Sequence, residues 1–373
     1  MSLATKQLKV LVLGAIASAV VVAPSAAFGR PFLDRFSTVR TLTTTVPPSG
    51  AARGDQNPYG VAVVGRSVGD LVRGDVLVSN FNNGQNQQGT GSSIVEVSPS
   101  GGKLRLFAVV PQPTATPAVG LTTALVVLRS GFVIVGSLPA PGGMSSAAGA
   151  GALTILDSTG HVVRTIAGGD INGPWDMTAV DSGTRVVLFV TNVLNGTVAA
   201  GGRVVNRGTV VRITLRLAPG RKPRLISDRV IATGFGEHTD PNALVVGPTG
   251  LGLGPNGVLY VADSNGNRVA AIPNALSRTG ALGGGGRTLL TRHGLGDPLG
   301  LAIGPNGDVI TVNGANGRAV EISPAGSPVA VRTLVRNGAG DLFGLAIAPH
   351  GNGLYFVNDA GSGPAANSLE LLH

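Results

Sequence analysis

Across 373 residues the chain carries 58 glycines and 24 prolines, only 13% charged residues, and 43% hydrophobic ones. A disordered chain would be charged and poor in aliphatics, so this composition points to a turn-dense, strand-rich globular protein. The formal net charge of +9 comes mostly from arginine spread along the chain, too mild and dispersed to indicate nucleic-acid recognition, and the lack of cysteine excludes a disulfide framework or an acylated anchor.

Lys6 and Lys9 precede an apolar run over residues 10–23, followed by Pro24-Ser25-Ala26-Ala27. A basic start, a short apolar core and small residues at the cleavage positions predict a secretory signal cut after Ala27. Residues 1–27 are therefore set apart as a signal peptide, and 28–373 are expected to form one domain, secreted or periplasmic. The run is short for a bilayer span, so no membrane segment is expected after cleavage. Loss of the two lysines lowers the formal charge from +9 to +7.

Residues 36–46 (FSTVRTLTTTV) are β-branched and partly alternating, which predicts a strand. After it a pattern recurs, clearest in residues 250–272, GLGLGPNGVLYVADSNGNRVAAI. It reads as a strand, a Pro-Asn-Gly turn, an apolar strand ending in Ala-Asp, a polar loop and a third strand. Copies begin near Tyr59-Gly60, Val119-Gly120, Trp175-Asp176, Asn242-Ala243, Leu299-Gly300 and Phe343-Gly344. Their middle strands end at Asn80, Ser137, Asn192, Asp263, Asn313 and Asn358. Six units at periods of roughly 45–70 residues fall in the range of propeller blades.

Each unit is a short antiparallel sheet whose apolar faces need neighbours, and radial packing buries both faces. The expected fold is all-β: a six-bladed β-propeller whose ring is closed by the N-terminal strand completing the last blade. That closure removes an edge that would otherwise invite aggregation. The run Gly283–Gly284–Gly285–Gly286 is expected to be a flexible connector between blades.

The segment from Leu259 to Val269, LYVADSNGNRV, resembles the NHL repeat, with Asp263 at the strand end and Asn267 and Arg268 at the repeat's spacing. The fifth unit keeps part of this pattern in Asn313 and Arg318. The resemblance implies a six-bladed propeller but no single function, because NHL propellers include enzymes, binding modules and sensors.

The strand-ending residues could form a ligand-binding ring on one rim, or each could bond the backbone of its own turn, as Asn and Asp commonly do. Trp175, the sole tryptophan, and Asp176 are expected near the channel mouth, where an aromatic can recognise a sugar or a cation. The candidate binding residues are thus Trp175, Asp176, Asn80, Asn192, Asp263, Asn313 and Asn358. Gluconolactonase-like propellers hold a divalent ion with acidic and amide ligands at the head of each blade. The heads here offer one carboxylate, Asp176, and one amide, Asn242, so no catalytic set, metal site or cofactor is assigned, a divalent ion in the channel remaining the one alternative. The five histidines show no paired metal spacing, and Glu237-His238, the one adjacent acid–base pair, is expected in a loop. Residues 203–229 hold a basic strand, with Arg212 and Arg216 on one face, that suits an anionic surface or simple solvation.

The expected function is an exported, monomeric NHL-like propeller that binds an unidentified ligand or envelope partner, an anionic one among the options and nucleic acid not. A metal-dependent lactonase-like or lyase-like enzyme is the alternative.

Overall fold

The computed structural model describes residues 30–100, 102–360 and 366–373. The expected signal peptide lies outside them, and no described helix is long and apolar enough to cross a membrane. Six antiparallel sheets form the molecule, and each innermost strand contacts the next, with the first meeting the last to close a ring.

Blade 1 comprises Gln56–Val63, Val76–Asn82, Ser93–Ser98 and Lys103–Val109, and blade 2 comprises Leu121–Val127, Val133–Ser137, Ala152–Leu156 and Val162–Ala167. Blade 3 has Gly173–Asp181, Arg185–Val193, Val205–Arg216 and Arg224–Asp240, with the short strand Leu244–Val246 added outside. Blade 4 runs Pro248–Leu253, Leu259–Asp263, Arg268–Ile272 and Arg287–Thr291. Blade 5 runs Pro298–Ile303, Val309–Asn313, Arg318–Ile322 and Pro328–Thr333. Blade 6 has Leu342–Ile347, Leu354–Asn358 and Ser368–Leu372, and its outer strand is the N-terminal Val39–Thr44.

The expected closure is therefore present. Val39–Thr44 pairs antiparallel with Ser368–Leu372, from Val39 opposite Leu372 to Thr44 opposite Ser368. The chain before it is fastened as well. Phe32 and Leu33 are buried among Ile310, Val312, Leu345 and Phe356, between blades 5 and 6. Their backbone N–H groups each donate to the buried Glu321 carboxylate at 2.8 Å.

Alternation places the apolar residues of each strand on both broad faces of its blade, so the core is a ring of inter-blade layers. Val76, Val78, Val95 and Val97 of blade 1 pack on Tyr355, Val357 and Leu369 of blade 6. Val186, Leu188, Val190, Val211 and Ile213 of blade 3 face Ile134, Leu153 and Ile155 of blade 2.

Two features differ from the expectation. Asp240 and Leu244–Val246 belong to blade 3, so the fourth unit begins at Pro248 and not near Asn242-Ala243. The glycine run lies inside blade 4, between Ile272 and Arg287, and is tied down: Gly285 N–H donates to Thr233 O at 2.9 Å, and Gly285 O accepts from Arg268 Nη2 at 2.9 Å. Gly284, Gly285 and Gly286 all have positive φ, a conformation that a side chain would strain, which explains the composition without invoking a flexible connector.

Candidate functional site at the channel mouth

Every innermost strand carries a bulge near its start. In blade 1 Pro58 opposes Asn80 but Val61 opposes Val78, so three steps match two; blades 3, 4, 5 and 6 repeat this, and blade 2 takes four steps. An extra residue re-aims side chains away from the regular ladder. The aligned first bulge positions are Tyr59, Thr122, Trp175, Thr249, Leu299 and Phe343. The blade 2 and blade 4 members are thus Thr122 and Thr249, in place of the expected Val119 and Asn242.

The next position lies where neighbouring inner strands meet. It is Gly60, Gly250, Gly300 and Gly344 in four blades, and an added Cβ at Gly250, Gly300 or Gly344 would collide with the backbone O of Leu299, Phe343 or Tyr59. Blade 3 has Asp176 there. Its Oδ1 accepts from Met177 N at 2.7 Å and its Oδ2 from Leu251 N at 3.2 Å, stitching blade 3 to blade 4. Burial pushes its carboxyl well above the ordinary range, against the two backbone donors. Asp176 borders the opposite end of the channel, with Val61, Leu125, Met177 and Leu301, so it is separated from Trp175 despite their adjacency in sequence.

At the mouth is a cavity of about 240 Å³. One wall is aromatic. Tyr59 stacks between Phe81 and Phe343, with ring centroids 4.4 and 4.1 Å away, and Trp175 leans against it at 5.9 Å. Much of the remaining lining is polar: Asn57, Asn82, Gln88, Thr249, Ser264, Asp297 and Asp359. Asn82 Nδ2 donates to Asn86 Oδ1 at 2.7 Å and Gln88 Nε2 to Asn242 O at 2.7 Å. The oxygen ends of Asn57, Asn82 and Gln88 are buried and accept no hydrogen bond among the described residues. Leaving such acceptors unpaired is costly, so they are poised for a donor-bearing ligand.

Two carboxyls share this cavity. Burial raises Asp359 to about 7, with the nearby Asp341 charge adding to it. Burial also raises Asp297, partly offset by a Ser264 hydrogen bond. Hard divalent ions take six to eight oxygen ligands, commonly several of them carboxylates. Among the described residues no group of three or more acidic, cysteine or histidine side chains is placed to share an ion. Two carboxyls dispersed among amides and rings fit a hydroxyl-rich molecule better than a preformed, tightly held divalent ion.

The strand-ending ring has a different place. Asn80 Nδ2 donates to Thr45 O and Ser93 Oγ, both at 2.9 Å. Asn192 Oδ1 accepts from the N–H groups of Asn172 and Gly173 at 2.8 and 3.0 Å. Asp263 accepts from Gly266 N at 3.1 Å and pairs with Arg268 Nε at 2.7 Å. Asn313 Nδ2 donates to Gly294 O at 2.7 Å, and Asn358 Nδ2 to Glu370 Oε1 at 2.9 Å. These five hold turns and neighbouring strands, and none lines the mouth cavity; of the expected binding residues Trp175 alone does. Replacing Asp263 by Ala removes the ionic partner of Arg268 and leaves its guanidinium only the Thr288 hydroxyl and the Gly284 and Gly285 carbonyls, an expected loss of about 2 kcal/mol in a denaturant melt with unchanged ligand binding at the mouth.

The residue one step beyond each strand end turns the other way, toward the mouth. Those residues are Phe81, Leu138, Val193, Ser264, Gly314 and Asp359, which line the cavity or pack in the aromatic cluster beneath it. Glu237 and His238 lie in the strand Arg224–Asp240 and not in a loop. The Glu237 carboxyl, raised to about 7 chiefly by burial, accepts from Asn195 N at 3.0 Å and does not line the cavity.

No protein-family model and no curated protein sequence matches this chain. Its fold is similar to that of a gluconolactonase from Xanthomonas campestris, with a TM-score of 0.55 and 13% identity over 89% of this chain and 88% of that one. An aldose sugar dehydrogenase from Streptomyces coelicolor, solved with PQQ bound, gives 0.55 and 16% identity over 90% and 97%. The calcium-binding protein regucalcin from Agrobacterium tumefaciens gives 0.54 and 12% over 90% and 93%. At these identities what is shared is the six-bladed propeller. Membership of the NHL family, expected from the fourth unit, is not supported by a family match.

Proposed function

We propose that the protein is a small-molecule hydrolase of the propeller type, acting at the channel mouth on a hydroxyl-rich ring ester of the sugar-lactone class. The observation that carries this reading is the composition of one cavity on the ring axis. It combines an aromatic wall, unpartnered amide oxygens and two carboxyls of raised pKa. Sugar rings offer an apolar C–H face to Trp175 and hydroxyl donors to Asn57, Asn82 and Gln88. The activity also occurs on this architecture, in the Xanthomonas gluconolactonase.

The chemistry needs a base and an acid. Ionised Asp359, with its pKa near 7, takes a proton from water as the water oxygen bonds to the lactone carbonyl carbon. The ring C–O bond then breaks, and the leaving oxygen collects the proton that Asp359 took from water, which resets the carboxylate, while Asp297 lines the same cavity. The product is the open hydroxy acid.

The test is hydrolysis of glucono-δ-lactone followed by acid release. Wild-type protein is expected to exceed the spontaneous rate, and Asp359→Asn to lose at least about a hundredfold in kcat, the scale of general-base catalysis. No acceleration by the wild type would refute hydrolysis. Saturable binding without turnover would instead favour a pure binding protein, for which the abundance of amide groups in the cavity speaks.

A further inference from the structure

Blade 3 is the long blade. Its strands Val205–Arg216 and Arg224–Asp240 span 12 and 17 residues, whereas blade 4 is built from strands of five and six. Part of the surplus, residues 214–216 and 224–227, overhangs blade 4 at the end of the propeller opposite the mouth, because the inner strand of blade 3 starts at the mouth with Gly173 and finishes with Asp181.

The overhang's face is basic by register. Arg185 opposes Arg216 and Arg216 opposes Arg224, which sets three arginines in a row across three adjacent strands, at about 4.8 Å per strand. Arg212 opposes Arg229 on the same face, two pairs further in. Arg212 Nη1 donates to Ala275 O at 2.7 Å and Arg229 Nη1 to Thr279 O at 2.5 Å, so both side chains are held by the adjoining loop of blade 4. Burial, with the charges of Arg229 and Arg185 next to it, lowers the Arg212 pKa.

None of these five arginines has an ion-pair partner among the described residues. The two nearby acids face the other way. Asp181 accepts from Arg129 N and Gly183 N, both at 2.7 Å, and Asp228 opposes Ile213, a residue of the core shared with blade 2. A groove of about 340 Å³ lies along Arg185 and Arg216, lined also by Thr184, Thr214, Leu215 and Ile226, with Arg224 beside it on the next strand, opposite Arg216. Like charges packed this way repel, and neither folding nor solubility calls for placing them together. Guanidinium forks beside hydroxyls match the oxygens of a phosphate group.

We propose that this groove binds phosphate groups, through Arg185, Arg216 and Arg224 with Thr184 beside them. Binding here leaves the mouth cavity free, at the other end of the ring. A phosphate can come from solution or from a lipid headgroup, and exposed Ile226 at the groove edge would rest at a bilayer boundary in the second case.

The test uses the mature chain and the variant Arg185→Gln, Arg216→Gln, Arg224→Gln, whose substitutions lie on exposed residues. Inorganic phosphate is titrated calorimetrically at low salt. Co-sedimentation is measured in parallel with phosphatidylcholine vesicles with and without phosphatidylglycerol. Saturable phosphate heat, or sedimentation only with the anionic vesicles, is expected for the wild type, weakened at least about tenfold in the variant and screened by salt. The two arms separate a free-anion site from a headgroup site. If the wild type binds neither probe, or the variant binds as well as the wild type, the proposal is overturned.

Discussion

Deleting residues 30–46 is expected to leave a protein that aggregates, is readily cleaved by protease and has lost its cooperative melt near the wild-type temperature. The segment does two things at once. Val39–Thr44 covers the edge of Ser368–Leu372, and its removal exposes a row of unpaired backbone groups. Phe32 and Leu33 fill the layer between blades 5 and 6, and burying two such side chains stabilises by roughly 4 kcal/mol. The deletion also leaves the buried Glu321 carboxylate without its two backbone donors. A milder substitution, Glu321→Ala, should lower the melting temperature in the same direction while keeping the protein soluble. An unchanged melting temperature on deletion would show that the ring does not depend on this strand.

Asp359→Asn is expected to make the protein more stable at pH 8 while removing its activity. The folded state holds the Asp359 proton up to about pH 7, whereas an ordinary aspartate releases it near 3.8. A pKa raised on folding contributes stability that is full below the ordinary value and is lost as pH rises through the folded one. Above pH 7 the native protein carries a half-buried, ionised carboxylate beside Asp341, and the amide carries no charge. After discounting for solvent screening the gain is on the order of 2 kcal/mol, or about 5 °C in Tm, measured by thermal melts from pH 4 to pH 8. The difference between variant and wild type should grow with pH. A difference that is constant with pH, or a variant less stable at pH 8, would place Asp359 in an ordinary surface role. Stabilisation on removing a working group is the usual mark of a site kept at a cost to the fold.

Much of the fold was legible in the sequence. Each blade repeats a Gly-rich inner strand, a tight turn and an apolar strand ending in Asn, Asp or Ser, and these features follow from ring packing. Residues 36–46 had no partner within their own unit, which identified them as the closing strand. The fourth unit's start was misplaced because Leu244–Val246 adds a fifth strand to blade 3, and its apolar run imitates the head of a unit.

The site was harder to see, for a reason built into strand geometry. Side chains alternate, so a strand-ending Asn points into its blade and the following residue points to the mouth. Asn358 was visible in the repeat, whereas Asp359 sits one position further, where the sister blades have Phe81, Leu138, Val193, Ser264 and Gly314. No repeat pattern marks a position occupied by six different residues. The inner-strand bulges separate Trp175 from Asp176 in the same way, sending one to the mouth and the other between blades. What distinguishes the blades, and not what they share, builds the cavity.

Trp175 makes the central claim directly measurable, because it is the only tryptophan in the chain and it lines the cavity. Its fluorescence is followed while the protein is titrated with a hydroxyl-rich six-membered lactam, the hydrolysis-resistant counterpart of a sugar lactone. The account predicts a saturable change in emission, weakened when Asn82 is replaced by Leu and unaffected when Asn80 is replaced by Ser. Emission that does not respond to the lactam, or that responds equally in the Asn82→Leu variant, would contradict the assignment of the mouth cavity as the working site.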